Sequence, residues 1–126
     1  MKRMNKEMLS KKKWAVIGAS DKKESFGYRI FKILQDNGYE VYPVNPRLDE
    51  IDGVPVYDDV MKLPEVPDVA DFVVNPSIGE KILPRCAEKG IQNIWLQPGA
   101  RSPELDQIAG EKGLNVVKSC VLQELS

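Results

Sequence analysis

The sequence predicts an α/β fold: a doubly wound parallel sheet of about five strands, ordered 3-2-1-4-5, between two layers of helices (three-layer α/β/α). Three observations predict it. Short apolar runs of strand length alternate with stretches whose apolar residues recur at helical spacing. Most of those runs end in a glycine, an Asn-Pro or a Pro-Gly, the punctuation of βα turns. The first run, Trp14 to Ile17, stops at Gly18-Ala19-Ser20, and a polar loop then leads into a helical pattern near Phe26. Strand, glycine turn and helix make a phosphate-binding corner, because small residues let an anion approach the backbone and the helix N-terminus supplies unpaired N–H donors and partial positive charge.

The elements follow in order. Met4 to Ser10 has weak helical character. From Phe26 to Asn37 the residues Phe26, Ile30, Phe31, Ile33 and Leu34 share one helical face, and Asn37-Gly38 ends it in a left-handed turn. Val41 to Val44 is the second strand, closed by Asn45-Pro46. Leu48 to Gly53 reads as a loop and Val54 to Tyr57 as a short edge strand, where Pro55 is tolerated. Asp58 is expected to cap a short helix running to Leu63-Pro64. Val69 to Val74 is a buried strand closed by Asn75-Pro76. Ser77 is expected to cap a helix over Ile78 to Lys89, with Gly90 at its C-cap and Pro84 a threat to its continuity. Ile91 to Leu96 is a strand closed by Gln97-Pro98-Gly99. Ser102-Pro103-Glu104 starts a helix that Gly113 ends, and Leu114 to Val117 is the last strand.

Length and composition bound the function. A chain of 126 residues, 42% hydrophobic and 29% charged, has the makings of one ordinary globular domain. The expected division is a basic N-terminal arm or short helix over 1–12 and a single domain over 13–126. Residues 1–13 carry six cations against Glu7, a balance of +5, which leaves −6 for the rest of a chain of net charge −1. An acidic body with few aromatics argues against a nucleic-acid surface. No apolar run is long enough for a signal peptide or a membrane span. Cys86 and Cys120 lack metal-ligand spacing and do not suggest a disulfide framework, so no metal is expected and a reducing, cytoplasmic compartment fits. Histidine is absent, which removes the commonest general base and the Ser-His and Cys-His nucleophile pairs. No catalytic residue is nominated.

In a doubly wound sheet, ligands bind at the carboxyl ends of the strands, near the point where strand order reverses. The sequence places Gly18, Ala19, Ser20 and Asp21 there from the first strand, and Asn45, Pro46 and Arg47 from the second. Later strands add Asn75 and Pro76, then Gln97, Pro98 and Gly99, then Ser119 and Cys120. The corner departs from G-x-G-x-x-G, with Ser20 and Lys23 at the second and third glycine positions. After the second strand, no acid precedes Asp49 to hold the ribose hydroxyls of NAD. Arg47 there suits a ribose that carries a phosphate, as in NADP or coenzyme A.

The series Val16-Ile-Gly-Ala-Ser20, Tyr42-Pro-Val-Asn-Pro46, Gly53-Val-Pro-Val-Tyr57, Trp95-Leu-Gln-Pro-Gly99 and Ser119-Cys120 resembles the stand-alone CoA-binding domain family, which is similar to the N-terminal domain of the succinyl-CoA synthetase α subunit. The resemblance runs from about Met4 to Leu125. It implies a Rossmann-like fold with CoA across the carboxyl rim, Gly18 to Asp21 at its phosphates, Asn45 to Arg47 as the basic segment, and Asn75-Pro76 and Gln97-Pro98-Gly99 lining the ligand. The sequence shows no following ligase domain and no histidine to carry a phosphoryl group, so the synthetase reaction is not expected. The expectation is a non-catalytic protein binding CoA or acyl-CoA, with no nucleic-acid or membrane partner and no protein partner identified. Two alternatives stand beside it: an NADP-binding oxidoreductase-like domain, and a redox regulator in which Cys120 forms a mixed disulfide with CoA.

Overall fold

A computed structural model describes residues 2–126. Chain order is α1 (Lys2–Leu9), β1 (Lys13–Ile17), α2 (Phe26–Asp36), β2 (Glu40–Val44), β3 (Glu50–Ile51), β4 (Val54–Pro55), a 3-10 turn (Val60–Lys62), β5 (Val69–Phe72), α3 (Pro76–Lys89), β6 (Asn93–Leu96), α4 (Pro103–Glu111), β7 (Asn115–Lys118) and α5 (Val121–Leu125).

Five strands pair in parallel in the order β2-β1-β5-β6-β7. Beyond β2, Tyr57 makes a single parallel bridge to Val44. Counting that segment as the third position, the sheet reads 3-2-1-4-5 in chain order with β7 as a further strand beside β6, so the expected Rossmann-like topology holds. The chain leaves β1 toward β2 and returns on the opposite side to β5. This reversal opens a crevice over the carboxyl ends of β1 and β5.

Side chains alternate across the sheet, and a core forms on each face. Ala15 and Ile17 point to one face, with Ala70, Phe72, Ile94 and Leu96, against Leu83 and Cys86 of α3 and Leu105 and Ala109 of α4. Trp14 and Val16 point to the other, with Val69 and Trp95, against Met8, Ile30, Phe31, Leu34 and Val121 from α1, α2 and α5. Trp14 and Trp95 pack with ring centroids 5.4 Å apart. Each indole N–H finds a carbonyl, Trp14 on Lys11 O at 2.7 Å and Trp95 on Ser119 O at 3.0 Å. Helix α1 is tied to the body by buried Met8 and by the Tyr39 hydroxyl, which donates to Leu9 O.

The structure corrects several local expectations. The expected loop Leu48 to Gly53 contains β3, which pairs antiparallel with β4 through a two-residue turn. Asp52 and Gly53 both adopt positive φ, 50° and 81°, as a type I′ turn requires. Asp59, not Asp58, caps the 3-10 turn, accepting from Met61 N. Asn75, not Ser77, caps α3, accepting from Ser77 N at 2.9 Å with Pro76 in the first helical turn. Helix α3 runs unbroken through Pro84. Helix α5 was not anticipated; five residues are too few to show a period.

Candidate functional site

The corner after β1 is built by two glycines. Gly18 sits at φ +98°, and a Cβ there would meet Val73 O and Val74 Cγ1 at 2.7 Å, so the chain can turn beside β5 only without a side chain. Gly27, in the first turn of α2, lies against the Gly18 carbonyl. It performs the helix-to-strand packing of a third fingerprint glycine, at a longer spacing than the motif allows. Ser25 caps α2 by accepting from Tyr28 N at 3.2 Å. The Phe26 and Gly27 N–H groups make no hydrogen bond among the described residues, which leaves a helix N-terminus open to an anion.

Two adjoining cavities share Gly18 and Val74 and make one groove over the switch point. The first, about 360 Å³, is the anion corner, lined by Ser20, Ser25, Phe26 and Gly27 on one side and Asn75, Pro98 and Gly99 on the other. The second, about 450 Å³, has apolar walls of Val44, Val60, Val74, Ile78 and Ile82, with Arg47, Asp58, Asp59, Lys81 and Arg85 around them. Ile78 is 49% exposed, an apolar side chain left open on this wall.

Asn45 organises the edge of the second cavity. Its Nδ2 donates to Ala19 O at 2.8 Å, and its Oδ1 accepts from Arg47 N at 2.8 Å. One side chain thus ties the β1 turn to the β2 turn and fixes the backbone that carries Arg47. Across the cavity, Arg85 grips Asp59, with Nη2 to Oδ2 at 2.6 Å and Nε to Oδ1 at 3.3 Å. Burial opposes the ionisation of Asp59, but the Met61 N–H and the Arg85 guanidinium outweigh it and hold its carboxyl below the usual range. Asp58 pairs with Lys62 at 3.1 Å.

The structure brings Gly18, Ser20, Asn45, Pro46, Arg47, Asn75, Pro98 and Gly99 together along this groove. Ala19 is fully buried and offers its carbonyl to Asn45. Asp21 and Pro76 line neither cavity. Gln97 is 0% exposed and turns inward, where its Oε1 accepts from Val121 N at 3.2 Å and so caps α5. Its Nε2 has no partner. Cys120 precedes α5 and is 7% exposed. The sequence reading missed Gly27 and the α3 stripe Ile78, Lys81, Ile82 and Arg85. A glycine inside a helical pattern signals the first; the stripe mixes charge with apolar residues and has no comparable signal.

Among the described residues, no group of three or more His, Cys, Asp or Glu could hold a metal ion. No described helix is long and apolar enough to cross a membrane.

A family model described as a CoA binding domain matches residues 12–126. The α subunit of an ADP-forming acetate–CoA ligase II from Pyrococcus furiosus is 35% identical over 119 residues, 85% of this chain. The chain spans about a quarter (26%) of that subunit's length. The uncharacterized protein YneT of Bacillus subtilis is 36% identical over 117 residues, covering 89% of this chain and 84% of its own. The structure of a conserved hypothetical protein from Pyrococcus furiosus superposes with a TM-score of 0.85 at 37% identity, covering 90% of this chain and 98% of that one.

Proposed function

The chain belongs to the CoA-binding domain family, whose ligand is coenzyme A, and from that premise we propose that its groove binds CoA or an acyl-CoA without catalysing a reaction on it. The observation that carries this reading is the junction of an anion corner with an apolar cavity of nucleotide size. The open N–H groups at the start of α2 suit the pyrophosphate. The walls formed by Val44, Val60, Val74 and Ile82 suit the flat faces of adenine. Arg47, which lines that cavity, supplies a cation suited to the ribose 3′-phosphate of CoA. The corner extends past Asn75 to Pro98 and Gly99, along which a pantetheine arm can leave.

The non-catalytic part of the proposal rests on what the chain offers for chemistry. With no histidine it cannot form a phosphohistidine. The groove brings cations, carboxylates, amides and hydroxyls together, but among the described residues no lining hydroxyl donates to a carboxylate.

Calorimetric titration with CoA, dephospho-CoA, acetyl-CoA, NADP and NAD tests the reading. CoA and acetyl-CoA are expected to bind alike, dephospho-CoA more weakly and NAD not at all. A protein silent to CoA that takes up NADP belongs to the oxidoreductase-like alternative instead.

A further inference from the structure

We propose that Lys81, which lines the same cavity as Arg47 but comes from α3, is a specificity-determining residue of this groove. Together the two cations select a nucleotide whose ribose carries a phosphate. The inference rests on the CoA reading and adds to it a residue and a basis for discrimination.

It follows from the charges around the apolar cavity. Ile78, Lys81, Ile82 and Arg85 recur at the spacing of one helical face, and all four line it. Arg85 is committed to Asp59 by two hydrogen bonds. Asp58 is committed to Lys62. Among the described residues, Arg47 and Lys81 are the lining cations with no ionic partner. They arrive from different elements, Arg47 from the turn after β2 and Lys81 from the second turn of α3. Both are exposed at the edge of a cavity whose walls are apolar, so each can reach a phosphate held there. A phosphate dianion bound in this cavity can pair with both charges. A ligand with only its pyrophosphate in the anion corner offers them no such partner.

Neither cation has an evident structural duty that would explain its position. Lys81 is exposed and its side chain makes no hydrogen bond among the described residues, so replacing it should leave the fold intact. The test is calorimetric titration of wild type, Lys81→Gln and Lys81→Arg with CoA and with dephospho-CoA, with thermal melts as the check on folding. Lys81→Gln is expected to lose roughly tenfold in CoA affinity, the scale of one charge-assisted hydrogen bond. It should keep its dephospho-CoA affinity within about twofold, and Lys81→Arg should restore most of the discrimination. If Lys81→Gln binds CoA as wild type does, or loses both ligands equally, while wild type still prefers CoA, the role of Lys81 is overturned and the CoA reading stands. If wild type binds no CoA, both are overturned.

Discussion

Gly27 lies so close to Gly18 that a Cβ on Gly27 would stand 2.3 Å from the Gly18 carbonyl oxygen. That contact presses the first turn of α2 onto the end of β1, where the open N–H groups of α2 face the groove. In an ordinary helix, Gly→Ala stabilises by up to about 1 kcal/mol. Here the methyl group meets backbone, which cannot swing aside. Gly27→Ala is therefore expected to destabilise by about 1–3 kcal/mol and to weaken CoA binding. Urea unfolding and titration read both effects, and a stabilised variant would show that the contact does not constrain the corner.

Asp71 lies in β5 with Val16 and Trp95 as its register neighbours, fully buried, and neither carboxyl oxygen has a hydrogen-bond partner. Burial holds its pKa well above the usual carboxylate value. The folded protein therefore keeps a proton that the unfolded chain gives up near pH 4, and stability falls as pH rises from there toward the folded pKa. The slope is about 1.4 kcal/mol per pH unit for one proton. Asp71→Asn removes this linkage, so the variant should gain on wild type as pH rises. Denaturant unfolding at several pH values between about 5 and 8 measures the difference, and parallel profiles would rule it out.

Gln97 gives α5 its N-terminal acceptor from another part of the chain, through Val121 N. Gln97→Met keeps the approximate volume and removes that acceptor. It also removes a buried Nε2 that has no partner, so the global stability change should be small, within about 1 kcal/mol. The local effect should be larger. Amide exchange in Val121 to Leu125 is expected to speed up while β1 and β5 stay protected. Unchanged protection in α5 would mean that apolar packing alone holds it.

Cys86 is fully buried, and burial, with the nearby Asp59 charge, pushes its thiol up to about 12. Cys120 is also nearly inaccessible. Thiol exchange needs access and a thiolate. Native protein incubated with CoA disulfide is expected to keep its mass, and adducts should appear only in urea. A native adduct that Cys120→Ser abolishes would instead favour the redox alternative.

Particular residues show how far the sequence could be read. The Asp52-Gly53 pair is a hairpin signal in plain sequence, and the β3–β4 turn was legible to a stricter reading of that dipeptide. The N-cap of α3, expected at Ser77, falls two residues earlier on Asn75, a shift that only backbone geometry decides. Of the rim residues, Asn45 to Arg47 reached the groove because a parallel strand delivers its following turn to one edge. Gln97 left the same edge for the interior because α5 packs over it and needs an acceptor.

The sequence by itself determined the parallel α/β architecture and the edge along which the candidate groove runs, because hydrophobic period and turn residues are local signals that act over a few positions. It also determined the likeness to CoA-binding proteins, through an ordered set of short motifs. Tertiary structure alone decided that Gly27 completes the Gly18 corner, that Gln97 caps a helix, and that Lys81 shares a cavity with Arg47. Each of these depends on two segments distant in sequence meeting at atomic range. That meeting is set by the packing of α2 and α3 on opposite faces of the sheet, and no local pattern encodes it.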